Sequence, residues 1–497
     1  MSKSLLHKYG HLIRRLTIRD PTLLLDDWFT APYCCNLVEL HLSPSLASRR
    51  HILASARDSS VSIYQFEQDM NFLNVASVDK AIDLISANPN LRHLSEKWHM
   101  LAPGHAKAFM NRLCYVRTPL ERIHTAFWQI SSINDLTSLL RCSSQLQQLS
   151  LFHSWINLVG AAPHTSDTDT SSQPMVINLG PLRKLSIVAT VVKRSDAVTD
   201  LPVTIQGFEL SSLTLTGFQG SSLHAREGSN QWSFVRQIAG WQCPKLTTLT
   251  ISQDEFDAEY SAGAILTTAE GLRKLEISGC AVGSGTIYRL LQRHAVTLES
   301  VNLSWSFGLS SSDLQSILTS CPNLRRFEGS SDRLQCADMI KQPWTCLQLQ
   351  DLVVFLDSPL LAKIPSGHTQ TGRPSGEVFV DTSEKAIAER EELYRAIYDQ
   401  LAPLKQLRRI RLGGFTRDVK VRTGIPWSLE AGLDRLRELS KVESFYITES
   451  VHEIGIAEVE WFRKYWPRLR EIRRLDDRER IEADPRVLEV LGKIELF

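Results

Sequence analysis

Three segments in the second half of the chain repeat one apolar pattern at a fixed spacing. They begin at Leu272, Leu298 and Leu324, so each starts 26 residues after the one before it. Each segment has apolar residues at its first and fourth positions, and the first two segments have another at the sixth. Segments 286–294 and 313–319, which lie between them, carry apolar residues at helical spacing, and the same spacing predicts a helix from Glu384 to Leu401. Because a unit of this size cannot bury its apolar face alone, the pattern requires units that stack on their neighbours.

The core pattern and its period are those of a leucine-rich repeat. We therefore predict an α/β solenoid, a curved horseshoe with a parallel β-sheet on its concave face and helices on its convex face. The solenoid is predicted over residues 1–475 in about 15–16 irregular repeats, with loop insertions near 160–175 and 363–383 and a charged C-terminal cap at 476–497. The units that align to the pattern begin at Ile13, Leu37, Leu91, Leu120, Leu146, Leu182, Leu210, Leu246, Leu272, Leu298, Leu324, Leu349, Leu407, Val442 and Leu469.

Cysteines and prolines recur just before the predicted strands. Cys34, Cys243, Cys321 and Cys346 each lie three residues before the first apolar position of a unit. This shared register predicts small buried packing residues, and the odd total of nine cysteines also disfavours a complete disulfide framework. Reduced cysteines are typical of a reducing compartment, so we predict an intracellular protein of the cytoplasm or nucleus. The prolines are predicted to end each helix before the next strand begins.

Charge and hydropathy disfavour two kinds of partner. Lys and Arg total 56 and Asp and Glu total 55, which leaves a net charge of +1. Binding to nucleic acid usually needs a concentrated positive surface, so we predict no nucleic-acid partner. No uncharged apolar run reaches the length of about 18–20 residues that a membrane helix needs, and the first residues do not form a secretory signal. We therefore predict no membrane partner either.

Motifs for catalysis, cofactors and metals are missing from the sequence. It has no phosphate-binding Gly-rich loop ending in Lys and Ser or Thr, no H-E-x-x-H and no C-x-x-C. The glycine-rich segment Gly279–Gly285 lacks the third glycine of a dinucleotide-binding fingerprint. His41, His93 and His124 could align on the first strands, but a metal site would need a closer cluster with hydrogen-bonding partners that orient the ligands, and none is identifiable. We predict a protein that is not an enzyme and that holds no cofactor or metal.

Strand alternation turns the third, fifth and seventh pattern positions toward the concave face of the predicted sheet. Those positions are charged in the first and last units and carry mainly hydroxyl groups in the middle units. Arg and aromatic residues often anchor protein interfaces, but any exposed sheet must also be polar to remain soluble, so both interpretations stay open. The candidate partner-binding residues on this face are Arg15, Arg19, His41, His93, Arg122, His124, Thr214, Thr250, Asn302, Arg326, Arg409, Arg411 and Tyr446.

Three tryptophans follow soon after predicted strands, where their side chains could form an aromatic rim of the concave face. They are Trp98, Trp155 and Trp305. Packing against a neighbouring turn is the simpler role for such residues, and contact with a partner is the alternative.

The two insertions are rich in Ser and Thr, so we predict loops at the solenoid edge, with binding flaps or phosphorylation sites as the alternative.

Segments 243–251 and 321–327 each open with Cys-Pro and continue into the leucine pattern. They resemble the cysteine-containing repeats of F-box/leucine-rich-repeat proteins, and the irregular unit lengths and long loops are most similar to fungal members. The resemblance implies a protein-binding module that recognises the substrate of an SCF-type (cullin) ubiquitin ligase. In that family an N-terminal F-box binds the ligase adaptor.

No F-box is recognisable in this chain, because repeat-like sequence begins by Ile13 and no Leu-Pro-x-Glu opening appears. Contact with the ligase adaptor would therefore need an F-box upstream of this sequence. The alternative is a repeat scaffold or inhibitor that acts without a ligase. In either role we expect a monomer.

Overall fold

The structure is a computed structural model, and it divides the chain into two compact units, Met1–Glu270 and Gly271–Phe497. The residues that the structure describes are 8–18, 34–42, 75–96, 103–116, 118–126, 129–130, 133–141, 144–156, 175–189, 203–216, 238–252, 265–266, 269–330, 332, 334–357, 383–412, 425–447, 454–474 and 495–496.

The first unit is organised around a ladder of short parallel strands, in which each strand pairs with the next at matched pattern positions. These strands are β1 (Arg15–Ile18), β2 (Glu39–Leu42), β3 (His93–Glu96), β4 (Arg122–Ala126), β6 (Gln148–Ile156), β8 (Lys184–Ala189), β10 (Ser212–Thr216) and β12 (Thr248–Ser252). A short strand, β5 (Gln129–Ile130), pairs with the end of β6. The helices are α1 (Val75–Ser86), α2 (Pro103–Leu113) and α3 (Ile133–Arg141), and a 3₁₀ turn covers Gly10–Leu12.

The second unit has the same parallel ladder. Its strands are β13 (Lys274–Ser278), β14 (Ser300–Asn302), β15 (Arg326–Glu328), β17 (Asp351–Val354), β19 (Arg409–Leu412), β20 (Ser444–Ile447), β21 (Glu471–Arg474) and β22 (Glu495–Leu496). A separate pair joins β16 (Leu334–Gln335) to β18 (Leu356–Asp357). The helices are α4 (Ser284–His294), α5 (Ser311–Ser320), α6 (Cys336–Met339), α7 (Glu384–Leu401) and α8 (Ile456–Tyr465), with a 3₁₀ turn at Leu433–Leu436.

Both units confirm the predicted fold class, an α/β leucine-rich-repeat solenoid. The first, fourth and sixth pattern positions form the core. In the unit that starts at Leu272, that residue, Leu275 and Ile277 are all fully buried. The predicted amphipathic segments form α4 and α5, and the helix predicted from Glu384 to Leu401 has those bounds. Stacking buries these apolar positions against neighbouring repeats, as the period requires.

The side of three repeats that should carry helices carries strands instead. β7 (Met175–Asn178), β9 (Val203–Gln206) and β11 (Ile238–Gln242) form a second parallel sheet within the first unit. Ile177, Ile205 and Trp241 point into the core at alternate positions of these strands. Apolar runs of this length with β-branched residues suit an extended chain, which explains why they do not form helices.

The four cysteines that share one position of the repeat are buried, as predicted. Cys34, Cys243, Cys321 and Cys346 are unpaired and have no exposed surface. Burial raises the pKa of Cys243 to about 11 and the pKa of Cys321 to about 12. These thiols therefore stay neutral and act as small apolar packing groups.

Buried side chains tie the helix ends to the preceding repeats. Asn88, which follows α1 and precedes a proline, accepts a hydrogen bond from Leu37 N–H at 2.8 Å and donates one to Leu84 O at 2.6 Å. In the second unit, buried His294 at the end of α4 accepts from Leu272 N–H at 3.4 Å. Each contact satisfies a backbone group that the turn between helix and strand would otherwise leave unpaired.

Several sequence predictions lie wholly or largely outside the described residues. They are the insertion near 160–175 up to its last residue, which begins β7, the insertion near 363–383 up to Ser383, which caps α7, and most of the cap at 476–497. Within the predicted cap, β22 continues the parallel ladder from β21. Among the helices of the described part, none is both long enough and apolar enough to span a membrane.

Candidate protein-binding face

Alternation along the strands gives each ladder one face that is not buried, here named the open face. In β10, Leu213 and Leu215 are buried, whereas Ser212, Thr214 and Thr216 are half-buried. The strand register places equal pattern positions side by side, so the third and fifth positions form two rows across each open face. The predicted alternation is confirmed in both units.

A charged cluster around Glu39 occupies the open face of the first unit. The Glu39 carboxylate pairs with the Arg15 guanidinium on the adjacent strand. His41 Nε2 lies 3.5 Å from one oxygen of this carboxylate, and His93 Nδ1 lies 3.6 Å from the other. The hydrogen bond from Arg15 is the main reason that the pKa of Glu39 is lowered to about 2. The candidates predicted from the sequence include Arg15, His41 and His93 but not Glu39, whose carboxylate all three approach.

The other candidates of the first unit are spread along its open face. Arg122 is exposed at the start of β4, and the His124 ring lies 4.5 Å from the Phe152 ring. Thr214 and Thr250 are half-buried partners on β10 and β12. Arg19 lies outside the described residues. Among the described residues, no group of three His, Cys, Asp or Glu side chains could hold a metal ion.

In the second unit, one aspartate organises two of the predicted arginines. Asp351 accepts two hydrogen bonds from Arg409 (Nε to Oδ1 and Nη2 to Oδ2), each 2.8 Å long, and Arg326 Nε lies 3.1 Å from Oδ2. All three residues occupy the third pattern position on neighbouring strands. Asp351 was not among the sequence candidates, although its pattern position could have identified it. The negative charge of Asp351 is therefore balanced by arginines of the same chain.

Arg411 differs from Arg326 and Arg409 because no hydrogen bond or ion pair from the described residues holds it. Its guanidinium carbon lies 5.3 Å from the Phe355 ring centroid and 5.9 Å from that of Tyr446. Its Nε atom is buried and has no acceptor among the described residues. Burial lowers the pKa of Arg411, and it raises the pKa of nearby Glu328, which interacts with Arg411 electrostatically.

The turn after β14 is fixed by hydrogen bonds and presents two aromatic side chains. Asn302 Oδ1 accepts from Ser304 N–H at 2.9 Å, and Ser306 N–H donates to Leu303 O at 3.0 Å, which closes a four-residue turn. The Ser306 hydroxyl is buried and donates to a backbone carbonyl of the preceding repeat at 2.8 Å. Trp305 is 68% exposed, and nearby Phe307 is 50% exposed. Asn302 thus helps to shape this turn.

Trp305 adopts a backbone conformation that favours glycine. Its φ is 61°, and it is the only non-glycine residue with positive φ in the described part of the chain. One repeat earlier, 26 residues before it, stands Gly279 with φ 69°. A bulky residue in this region costs about 1–2 kcal/mol. Since the indole is largely exposed, packing against a neighbouring turn does not account for a tryptophan here.

The structure does not describe the side chains of the two other candidate tryptophans. Trp98 lies outside the described residues, and Trp155 is described only as part of the backbone of β6.

A groove of about 250 Å³ in the second unit is lined by residues that precede the strands, and it is separate from the two rows of the open face. Within it, Arg273 pairs with Glu299 at 2.8 Å.

No known family profile and no curated protein matches the sequence. Three solved structures show distant likeness. The complex of TLR13 with ssRNA13 has a TM-score of 0.41 and 13% identity over 95% of this chain and 55% of that one. A Leptospira interrogans leucine-rich-repeat protein has a TM-score of 0.42 and 12% identity over 99% and 97%. The complex of Rad7 and Elc1 in yeast has a TM-score of 0.33 and 16% identity over 75% and 89%. This chain thus spans about half the length of the TLR13 chain.

Proposed function

We propose that the chain is a non-enzymatic, monomeric module that binds a protein partner through the open face and the turn at Trp305. The observation that carries this proposal is the exposed Trp305 in a strained turn position. Selection for folding alone would favour glycine there, as at Gly279. Tryptophan is the side chain most enriched in interface hot spots, and the hydrogen bonds of Ser306 hold its turn in place before binding.

A binding experiment with matched variants tests this proposal. Partners are identified by proximity labelling in the source cell, and each complex is then rebuilt from purified proteins. Trp305→Gly should weaken the complex at least about 30-fold, as expected of a hot spot worth 2 kcal/mol or more. Tyr288→Ala removes a similarly exposed aromatic side chain from the face of α4 and should leave affinity unchanged. Equal affinities for the Trp305→Gly variant and the wild-type protein would count against the proposal.

The finer proposal is that this partner is the substrate of an SCF-type ubiquitin ligase. Its support is the resemblance of the Cys-Pro repeat openings, 243–251 and 321–327, to those of F-box/leucine-rich-repeat proteins. The purified complex should then contain the ligase adaptor and cullin, provided that an F-box accompanies these repeats. Removing the protein should also lengthen the half-life of its partner. A stoichiometric complex without either ligase component, and an unchanged half-life, would favour the scaffold or inhibitor role instead.

A further inference from the structure

We propose that Arg411 on the open face of the second unit binds a carboxylate side chain of the protein partner. The aliphatic stem of that side chain would lie against Phe355 and Tyr446. The proposal rests on the proposed function, because it names the chemical group that the partner presents to this face.

The hydrogen-bonding state of Arg411 is the first support. A guanidinium has five N–H donors, and buried donors in folded proteins nearly always have acceptors. Among the described residues Arg411 has no hydrogen bond, even at its buried Nε. Arg409 and Arg326, two pattern positions away, both reach Asp351. Arg411 therefore holds a partly desolvated charge whose hydrogen-bonding capacity is unused, and an incoming carboxylate would use it.

The local charge count selects a carboxylate from among the possible anions. Arg326, Arg409, Arg411 and Lys274 contribute four positive charges, while Asp351, Glu328 and Glu276 contribute three negative charges, which leaves one positive charge. A carboxylate carries one negative charge and balances this surplus. A phosphorylated side chain carries about 1.5–2 negative charges at neutral pH and would leave an excess negative charge beside the half-buried Glu328.

The two aromatic rings define the rest of the partner's side chain. Phe355 and Tyr446 both lie near the Arg411 guanidinium, at 5.3 and 5.9 Å from its carbon. These rings hold the guanidinium by cation–π interaction and offer an apolar surface beside it. A side chain with an apolar stem and a terminal carboxylate, as in glutamate, fits that combination.

Selection from a display library of short random peptides tests the proposal on the full-length protein. Peptides recovered with the wild-type protein should be enriched in Glu and Asp. Synthetic copies should bind Arg411→Met at least about tenfold more weakly, the loss expected when charge-assisted hydrogen bonds are removed. Glu328→Gln should bind the same peptides more tightly, since it removes a negative charge that opposes them. Arg289→Met, at an exposed position of α4, is the matched control and should not change affinity.

Three results would overturn the proposal. They are a library that yields no acidic enrichment, peptides that bind Arg411→Met as tightly as the wild type, and phosphoserine peptides that bind about tenfold more tightly than their Glu counterparts. None of these outcomes removes binding of the partner protein through Trp305, so failure here is distinguishable from failure of the proposed function. Thermal unfolding of each variant confirms that it is folded.

Discussion

At the scale of single residues, Trp305 separates the requirements of folding from those of binding. Relief of its positive φ stabilises a Trp305→Gly variant by about 1–2 kcal/mol, while the greater freedom of glycine in the unfolded chain costs about 0.5–1 kcal/mol. We therefore expect the free energy of unfolding to rise by about 0–1.5 kcal/mol. Trp305→Ala keeps the unfavourable φ and should be the less stable of the two variants. Urea denaturation measures both.

A buried tryptophan is the control for that experiment. Trp466 is 1% exposed and stacks on Phe462 at 5.1 Å between ring centroids. Its replacement by alanine should cost about 3–5 kcal/mol, as for other core aromatic residues. A comparable loss in Trp305→Gly would mean that Trp305 is a packing residue after all.

The Glu39 cluster predicts a pH dependence of stability. The pKa of Glu39 is lowered from 4.5 to about 2, mainly by the hydrogen bond from Arg15. A carboxylate with a lowered folded-state pKa stabilises the fold above its unfolded pKa, and that contribution is lost as pH falls toward the folded value. Glu39→Gln should therefore destabilise the protein most above pH 4.5 and progressively less toward pH 2. Urea denaturation of both proteins across this range tests it, and a difference that does not vary with pH would contradict it.

The sequence predicts part of this residue-level chemistry. The 26-residue period aligns Trp305 with Gly279, but only the structure shows that the indole is exposed and that φ is positive. Strand alternation placed Arg409 and Arg411 on one face together. Strand alternation could not predict that Asp351 binds Arg409 and not Arg411, because this choice depends on side-chain geometry between strands.

At the scale of elements, α5 shows how local sequence sets a helix start. Ser310 Oγ accepts from Asp313 N–H at 3.2 Å, and Asp313 Oδ2 accepts from Ser310 N–H at 2.8 Å. The Ser284 hydroxyl at the start of α4 also donates to Asp313 Oδ2 at 2.8 Å. We expect Asp313→Ala to destabilise the protein by about 1 kcal/mol, as measured by urea denaturation. Asp313→Asn retains an acceptor and should lose less, so equal losses in both variants would argue against this capping role.

Periodicity distinguished helices from strands only where the apolar runs were long. The sequence predicts α7 with its observed bounds, Glu384–Leu401, because its apolar residues recur at helical spacing over about five helical turns. β7 and β9 are only four residues each, too short to show whether their apolar residues follow a helical or a strand period. We therefore predict helices on that side of the sheet, and the structure has strands there. Pairing with neighbouring strands decides the structure of such short runs, and that information is not local.

At the scale of the whole molecule, the repeat period fixes the architecture because every unit packs only on its neighbours. Leu275, Val301 and Phe327 occupy one pattern position on three adjacent strands, and all are buried. The spacing alone was enough to predict this stack. The period carries no information about the partner, since the open-face positions can vary without disturbing the core.

The charge of the whole molecule leads to the last prediction. The 56 Lys and Arg residues are matched by 55 Asp and Glu residues, and on the open face of the second unit arginines alternate with Asp351 and Glu328. Such a surface lacks the unbroken positive charge that releases counterions from a phosphate backbone. We therefore expect the full chain to bind a fluorescent single-stranded RNA no more tightly than about 10⁻⁴ M at about 0.15 M salt. Tighter binding that falls steeply as salt is raised would show that charge is concentrated somewhere on the protein, and it would then favour a nucleic-acid partner over the acidic protein segment proposed for Arg411.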